Sequence, residues 1–247
     1  MIDRLLLAHT FLTRLPLPQP QGQISPERLA RAAVMFPLVG LTVGALAALV
    51  RWGADPLGPG FATVAALAVA PLVTGAFHED GLADTADGLG PYQRGRRLEA
   101  MRDSTLGTFG VLALVFSVLA RFALLVPLGS RDAALALIAG HVLGRWSTLP
   151  LAWFGSPART DGLGAALVQP TTEQVIAGSG IALALAAPAL FGIDLASIPT
   201  ALGAAVIVVV ASGLYWTRAF GGMTGDTYGA TNQLTEIATY VAVAAVL

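Results

Sequence analysis

The 247-residue chain has no cysteine, and all 14 of its basic residues are arginine, none lysine. The first absence excludes disulfides and thiolate metal sites. The second excludes the phosphate-gripping lysine of a P-loop. Charge is scarce too: 12% of the residues are charged, against about 25% in soluble domains. A formal net charge of -1 offers polyanions no basic surface, so no nucleic-acid partner is expected. With only three histidines, neither a Ser-His-Asp arrangement nor a zinc motif stands out.

What the chain has in abundance is apolar surface. Hydrophobic residues make up 55% and the mean hydropathy is +0.71. A hydrocarbon core needs roughly 20 apolar residues per helical span. Apolar stretches lie at about 32–50, 60–77, 108–128, 133–154, 174–192, 197–217 and 234–247. The expectation is an all-α, polytopic transmembrane bundle of about six to seven spans with interfacial helices, forming one integral membrane domain over 1–247. The segment 5–18 is too short and interrupted to span, and is read as interfacial. No internal repeat or long linker is evident.

Arginines collect on cytoplasmic loops. With the N-terminus inside, Arg4, Arg14, Arg28, Arg31, Arg94, Arg96, Arg97, Arg102, Arg159 and Arg218 all lie inside, whereas only Arg51 and Arg131 lie outside. The polar segments 78–107, 155–173 and 218–233 then open on the cytoplasmic face, which is where the chemistry is expected.

The first of these segments begins "HEDGLADTADG" (78–88). Asp80, Asp84 and Asp87 stand at i, i+4 and i+7, one stripe of a helix. Crowding three carboxylates beside a bilayer is costly, and a divalent cation removes the cost. Oxygen ligands suit Mg²⁺ or Mn²⁺, and Mg²⁺ commonly combines one or two carboxylates with substrate phosphate oxygens. Asp103 in "MRDSTLGTFG" is placed to return to the same site.

Arg121 and Arg145 fall inside spans, where an arginine normally faces the bundle interior or a polar cavity. The guanidinium fork fits phosphate, and Arg145 is read as a ligand contact, with His141 one turn before it. In "GGMTGDTYGATNQLTE" (221–236) the glycines let backbone N–H groups approach a phosphate, and Asp226 and Glu236 are candidate ligands for metal, ribose or base. The glycines of "GLTVG" (40–44) and "GHVLG" (140–144) lie within spans and are read as packing positions. Carboxylates, arginines and a glycine-rich loop together indicate metal-assisted phosphoryl or diphosphate chemistry at one membrane face.

The segments "FLTRLPLP", "FPLVGLTVG", "HEDGLADTADG", "MRDSTLGTFG", "ARTDGLG" and "GGMTGDTYGATNQLTE" resemble, in that order, the motifs of the cobalamin synthase (adenosylcobinamide-GDP ribazoletransferase) family. The resemblance covers the chain from Phe11 to its end. It implies a multi-pass enzyme of the bacterial cell (inner) membrane with a cytoplasmic active face. Such an enzyme transfers cobinamide phosphate from adenosylcobinamide-GDP to α-ribazole or its 5′-phosphate, releases GMP and requires Mg²⁺. A homo-oligomer or a complex with other late corrinoid enzymes belongs to the same implication.

Carried onto this chain, Asp80, Asp84 and Asp87 are the expected metal ligands. Asp84, Asp103 and Asp226 are the expected catalytic residues. Arg97, Arg102, Arg121, Arg145, Gly225, Thr227, Asn232 and Glu236 are expected to contact phosphate or substrate. Three positions depart from the family pattern. Glu79 replaces a usual apolar residue, Phe109 stands where a histidine can occur, and Gln233 occupies an often acidic position. Glu79 is read as a bystander to the three aspartates.

Three rival readings use parts of this pattern. An intramembrane prenyltransferase would carry a second aspartate-rich motif in its other half. A CDP-alcohol phosphotransferase would show a fuller acidic spacing than "DTADG". A transporter would show repeated halves with broken helices near the midplane.

Overall fold

The computed structural model describes residues 1–91, 93–103, 105–159 and 169–247, the side chain of Arg94 excepted. Ser104 of "MRDSTLGTFG" and residues 160–164 of "ARTDGLG" lie outside the described residues.

The described elements are helical: α1 (Ile2–Leu12), α2 (Pro26–Ala33), α3 (Phe36–Gly53), α4 (Pro59–Thr74), α5 (Phe77–Leu89), α6 (Arg94–Ala100), α7 (Thr108–Leu125), α8 (Ser130–Trp146), α9 (Thr148–Phe154), α10 (Thr172–Ile193), α11 (Ser197–Phe220) and α12 (Gly225–Ala244). The starts are written locally. Ser25 accepts a hydrogen bond from the Arg28 N–H ahead of Pro26 in α2. Thr171 and Gln174 form a reciprocal capping box at α10, which satisfies two otherwise orphaned N–H groups.

The chain is a multi-pass, all-α membrane protein. Four helices, α3, α7, α10 and α11, are long and apolar enough to cross a membrane, and the bent pair α4–α5 makes a fifth when taken as one span. Fewer helices meet these criteria than the six or seven apolar stretches of the sequence, for two reasons. The stretch 133–154 is divided at Ser147 into α8 and α9. The last helix begins at Gly225, so it takes in a polar face as well as the apolar end. On that face the buried Thr231, Thr235 and Thr239 turn their hydroxyls back onto carbonyls one turn earlier, at 2.7–2.8 Å.

By contrast α7 exposes Val111, Val115, Phe116, Val118 and Leu119. Such a continuous apolar face belongs against lipid.

The tightest helix pair is α3 against α8. A Cβ on Gly44 would lie 2.8 Å from the Ile138 Cα, and one on Gly40 would strike the backbone of His141 and Val142. Close backbone approach through glycine is a recurring membrane packing device. Gly44→Val should therefore cost about 1–3 kcal/mol through overpacking. Thermal unfolding in detergent reads this loss. Gly53→Ala, where a Cβ meets nothing within 4 Å, is the matched control and should unfold as the parent does.

The bend that matters most for function lies between α4 and α5. Gly75 (φ +71°) and Ala76 (φ +59°) are consecutive left-handed residues, and the two helices meet at 89°. The Arg14 N–H donates to the Val73 carbonyl at 2.7 Å, and the Arg14 side chain occupies the space a Cβ on Gly75 would need. A turn of this kind aims α5 across α12, with which it packs extensively.

Candidate active site

Helix α5 meets α12 through glycines. A Cβ on Gly81 would lie 2.8 Å from the Asp226 carbonyl oxygen, and one on Gly229 would lie 3.3 Å from the His78 carbonyl oxygen. This approach brings the acidic stripe beside the first turn of α12. Asp80, Asp87 and Asp226 all act electrostatically on Asp84, opposed by Arg159. Asp80 is exposed and Asp84 half-buried. Among the described residues no hydrogen bond or ion pair engages either carboxylate.

Arg159, which the sequence marks only as a cytoplasmic arginine, joins this site. A parallel bridge between Pro157 and Met223 places it: Ala158 N–H donates to the Met223 carbonyl, and Met223 N–H to the Ser156 carbonyl, both at 2.8 Å. The Arg159 Nη2 then lies 3.8 Å from Asp226 Oδ2. Its Nε and Nη2 have no hydrogen-bond partner among the described residues. The available signal was its position inside "ARTDGLG", a stretch already singled out as a motif. Burial pushes the Asp226 carboxyl above the usual aspartate range, while Arg159 and a hydrogen bond from Thr224 pull the other way.

Asp87 belongs to the same stripe but has another engagement. Its Oδ2 accepts from Gly107 N–H and its Oδ1 from Gly110 N–H, both at 2.8 Å, so the carboxylate caps the start of α7. A cap of this type contributes about 0.5–2 kcal/mol. Asp87→Ala should lower stability by that amount, whereas Asp87→Asn keeps an acceptor in place. Thermal unfolding and turnover, measured together, test the assignment. The expected pair is reduced stability in the alanine variant and turnover within a few-fold of the parent in the asparagine variant. Lost turnover in Asp87→Asn at unchanged stability would return Asp87 to the metal ligands.

Other expected site residues fall into two groups. Around the mouth, Asp103 is exposed, and hydrogen bonds from the Thr105 hydroxyl (2.7 Å) and N–H (3.0 Å) hold its carboxyl below the ordinary range. Arg102 is exposed on the same loop. Arg97 ties α6 to the end of α11, donating to the Pro91 and Ala219 carbonyls at 3.0 and 3.2 Å. Gly225 opens α12, and Thr227 is spent on its capping box with Thr224.

The second group lies deep in the bundle. Glu236 follows Asp226 by ten residues of one helix, about 15 Å at 1.5 Å per residue. It is bound by Arg145, lies 2.8 Å from His141 Nδ1 and faces Arg121 at 3.8 Å. Arg145 and Glu236 are each 1% exposed. Asn232 is fully buried beside them, its amide without a hydrogen-bond partner among the described residues. Arg121, Arg145, Asn232 and Glu236, expected at substrate, therefore sit in an interior network below the acidic face. Glu236 is shared there by two arginines, and Glu79, joined through Gln233, supplies the second negative charge that buried cations require.

Glu79 joins that network rather than the aspartates. Gln233 Nε2 donates to Glu79 Oε1 at 3.3 Å, and Arg121 donates to Gln233 Oε1. Glu79 and Gln233, both read from the sequence as departures from the family pattern, are thus neighbours. Phe109 is exposed, with its ring edge against Gly90.

The carboxylates suit a divalent cation held jointly with a substrate. Among the described residues no three acidic or histidine side chains are already arranged to hold an ion by themselves. Asp80 and Asp84, with unengaged oxygens and mutual repulsion, fit the one or two carboxylates that Mg²⁺ takes alongside phosphate oxygens.

Comparison with known proteins gives the family. A family model described as cobalamin-5-phosphate synthase matches residues 4–244. The adenosylcobinamide-GDP ribazoletransferase of Azorhizobium caulinodans is 42% identical over 240 residues, covering 92% of this chain and 90% of the relative. Those of Sinorhizobium medicae (41%; 95% and 93% covered) and Ralstonia nicotianae (37%; 94% and 91% covered) are similar over the same extent. No solved structure matches the chain significantly. With nearly the whole length matched and the acidic and glycine-rich motifs brought face to face, the chain belongs to the cobalamin-5-phosphate synthase family.

Proposed function

We propose that this protein is an adenosylcobinamide-GDP ribazoletransferase, closing the nucleotide loop of cobalamin at the cytoplasmic face of the membrane. The observation that carries the reading is the convergence of Asp80, Asp84 and Asp226, with Arg159 beside them, where α5 crosses the start of α12. The full-length kinship with transferases of that name supports the substrate.

In the reaction, the 5′-hydroxyl oxygen of the ribazole bonds to the cobinamide-side phosphorus. The bond from that phosphorus to the bridging oxygen breaks, and GMP leaves with the electron pair. Bound Mg²⁺ would supply charge neutralisation on the diphosphate, held by Asp80 and Asp84. Arg159 and Arg102 lie on the loops around the same face and neutralise phosphate charge as it shifts to the leaving group. Asp226, desolvated and hence a stronger base than an exposed aspartate, accepts the hydroxyl proton. Asp103, already held by Thr105 in its own loop, is the weaker candidate for that role. The N–H groups in the first turn of α12 present the positive helix end to the same space.

The test is direct. Purified protein in lipid vesicles is given adenosylcobinamide-GDP and α-ribazole, with Mg²⁺ or with a chelator, and GMP is measured. GMP should appear only when both substrates and the metal are present. Its absence from the complete mixture would overturn the reading.

A further inference from the structure

Beside the acidic face is a narrow pocket that the chemistry above does not use. Phe11 of α1, Phe36, Phe77, His78, Tyr228 and Gly229 line it. Phe11 and Phe36 lie parallel with centroids 6.1 Å apart, Phe77 stands edge-on to Phe11 at 5.8 Å, and His78 edge-on to Phe77 at 5.4 Å. Flat rings presenting both faces and edges are what a flat aromatic ligand recognises.

His78 supplies a second, independent observation. It is only 4% exposed, and its Nδ1 has no hydrogen-bond partner among the described residues. Buried polar atoms normally have one, so the ring is equipped for a partner that the described residues do not provide. The location is equally specific. Gly225 and Gly229 bring the pocket to the turn of α12 that holds Asp226, and His78 precedes Asp80 by two residues.

We infer that this pocket binds the base of the acceptor nucleoside: a flat, weakly polar aromatic bicycle with a single acceptor nitrogen, met by His78. The inference rests on the proposed ribazole transfer and identifies where one of its two substrates sits. Guanine is the wrong occupant. Its edges carry several donors and acceptors, more than His78, Thr148 and Tyr228, the polar side chains among the described wall residues, can match, and unpartnered polar groups are costly to bury. A benzimidazole-type base suits both the aromatic walls and the lone imidazole. With the base here, the attached ribose lies next to Asp226 and Asp80. The cavity volume is about 20 Å³, room for about one water molecule. The rings of Phe11 and Phe77 must therefore part as the base enters.

The experiment is steady-state kinetics of Phe11→Ala in vesicles, with each substrate varied in turn, beside equilibrium dialysis of α-ribazole against the metal-loaded protein. Stacking on one aromatic side chain contributes about 1–3 kcal/mol per base, where 1.4 kcal/mol is about tenfold. The KM and dissociation constant for α-ribazole should rise about tenfold or more, while the KM for adenosylcobinamide-GDP stays within about twofold. Phe11→Leu, which keeps the bulk but not the ring, should show the same asymmetry and carries the test where the alanine variant does not fold. An unchanged ribazole constant, or an equal rise for both substrates, overturns the pocket assignment. No GMP from the parent protein overturns the transferase reading instead, so the two failures are distinguishable.

Discussion

Asp84→Asn should abolish GMP release while leaving the protein folded in membranes. The substitution preserves shape and removes one charge from a side chain that faces Asp80, Asp87 and Asp226 with only Arg159 in opposition. Electrostatically, folding gains from it, since a repulsive carboxylate is gone. Under the proposed function, catalysis loses an oxygen ligand for the cation that accompanies the diphosphate. Losing a preorganised charge-stabilising group commonly costs about 10²–10³ in kcat, and here the metal's contribution falls with it. The expected result is turnover down by at least that factor, with a thermal midpoint equal to or above the parent's. Near-normal, Mg²⁺-dependent turnover would sink the proposed metal role of Asp84.

Glu236→Ala should do the opposite, striking stability first. Glu236 is the anion on which Arg145 and His141 converge, with Arg121 at 3.8 Å. Arg145 is itself 1% exposed, and removing one partner of a buried pair leaves an uncompensated charge, costing about 3–5 kcal/mol. The network also joins helices: Glu79 of α5, Arg121 of α7, Arg145 of α8 and Gln233 and Glu236 of α12 form one connected set. Its loss should loosen the placement of α5 as well. The expected reading is a sharply lower unfolding midpoint and less folded protein recovered from membranes, with the KM for adenosylcobinamide-GDP unchanged in the fraction that folds. A stably folded variant with a raised KM for that substrate would place Glu236 at the substrate instead.

The contrast between these two carboxylates shows what was legible in the residues alone. Composition was sufficient for a multi-pass helical membrane protein, because hydrocarbon tolerates only long apolar runs with internally satisfied backbones. Helical phase was sufficient to put Asp80, Asp84 and Asp87 on one stripe, because the 3.6-residue period is a local property. The motifs "HEDGLADTADG" and "GGMTGDTYGATNQLTE" were sufficient for kinship, and they are the two segments that meet.

Everything that depended on where distant segments return was decided by tertiary structure. Phase cannot say that Asp87 turns to the N-terminus of α7 while its stripe-mates stay unengaged. Nor can it say that Arg159, brought in by the bridge at Pro157 and Met223, reaches Asp226 while Arg145 does not. An intramembrane arginine announces only that it needs a partner. Whether the partner is a phosphate or a glutamate 91 residues away is set by packing, and here the close approach of α8 and α12 favoured Glu236. Sequence by itself determined the kind of protein and the chemistry available to it. The fold decided which charges stand unengaged at the mouth and which hold the bundle together, because a charge is assigned by its neighbours and most of these neighbours are far apart along the chain.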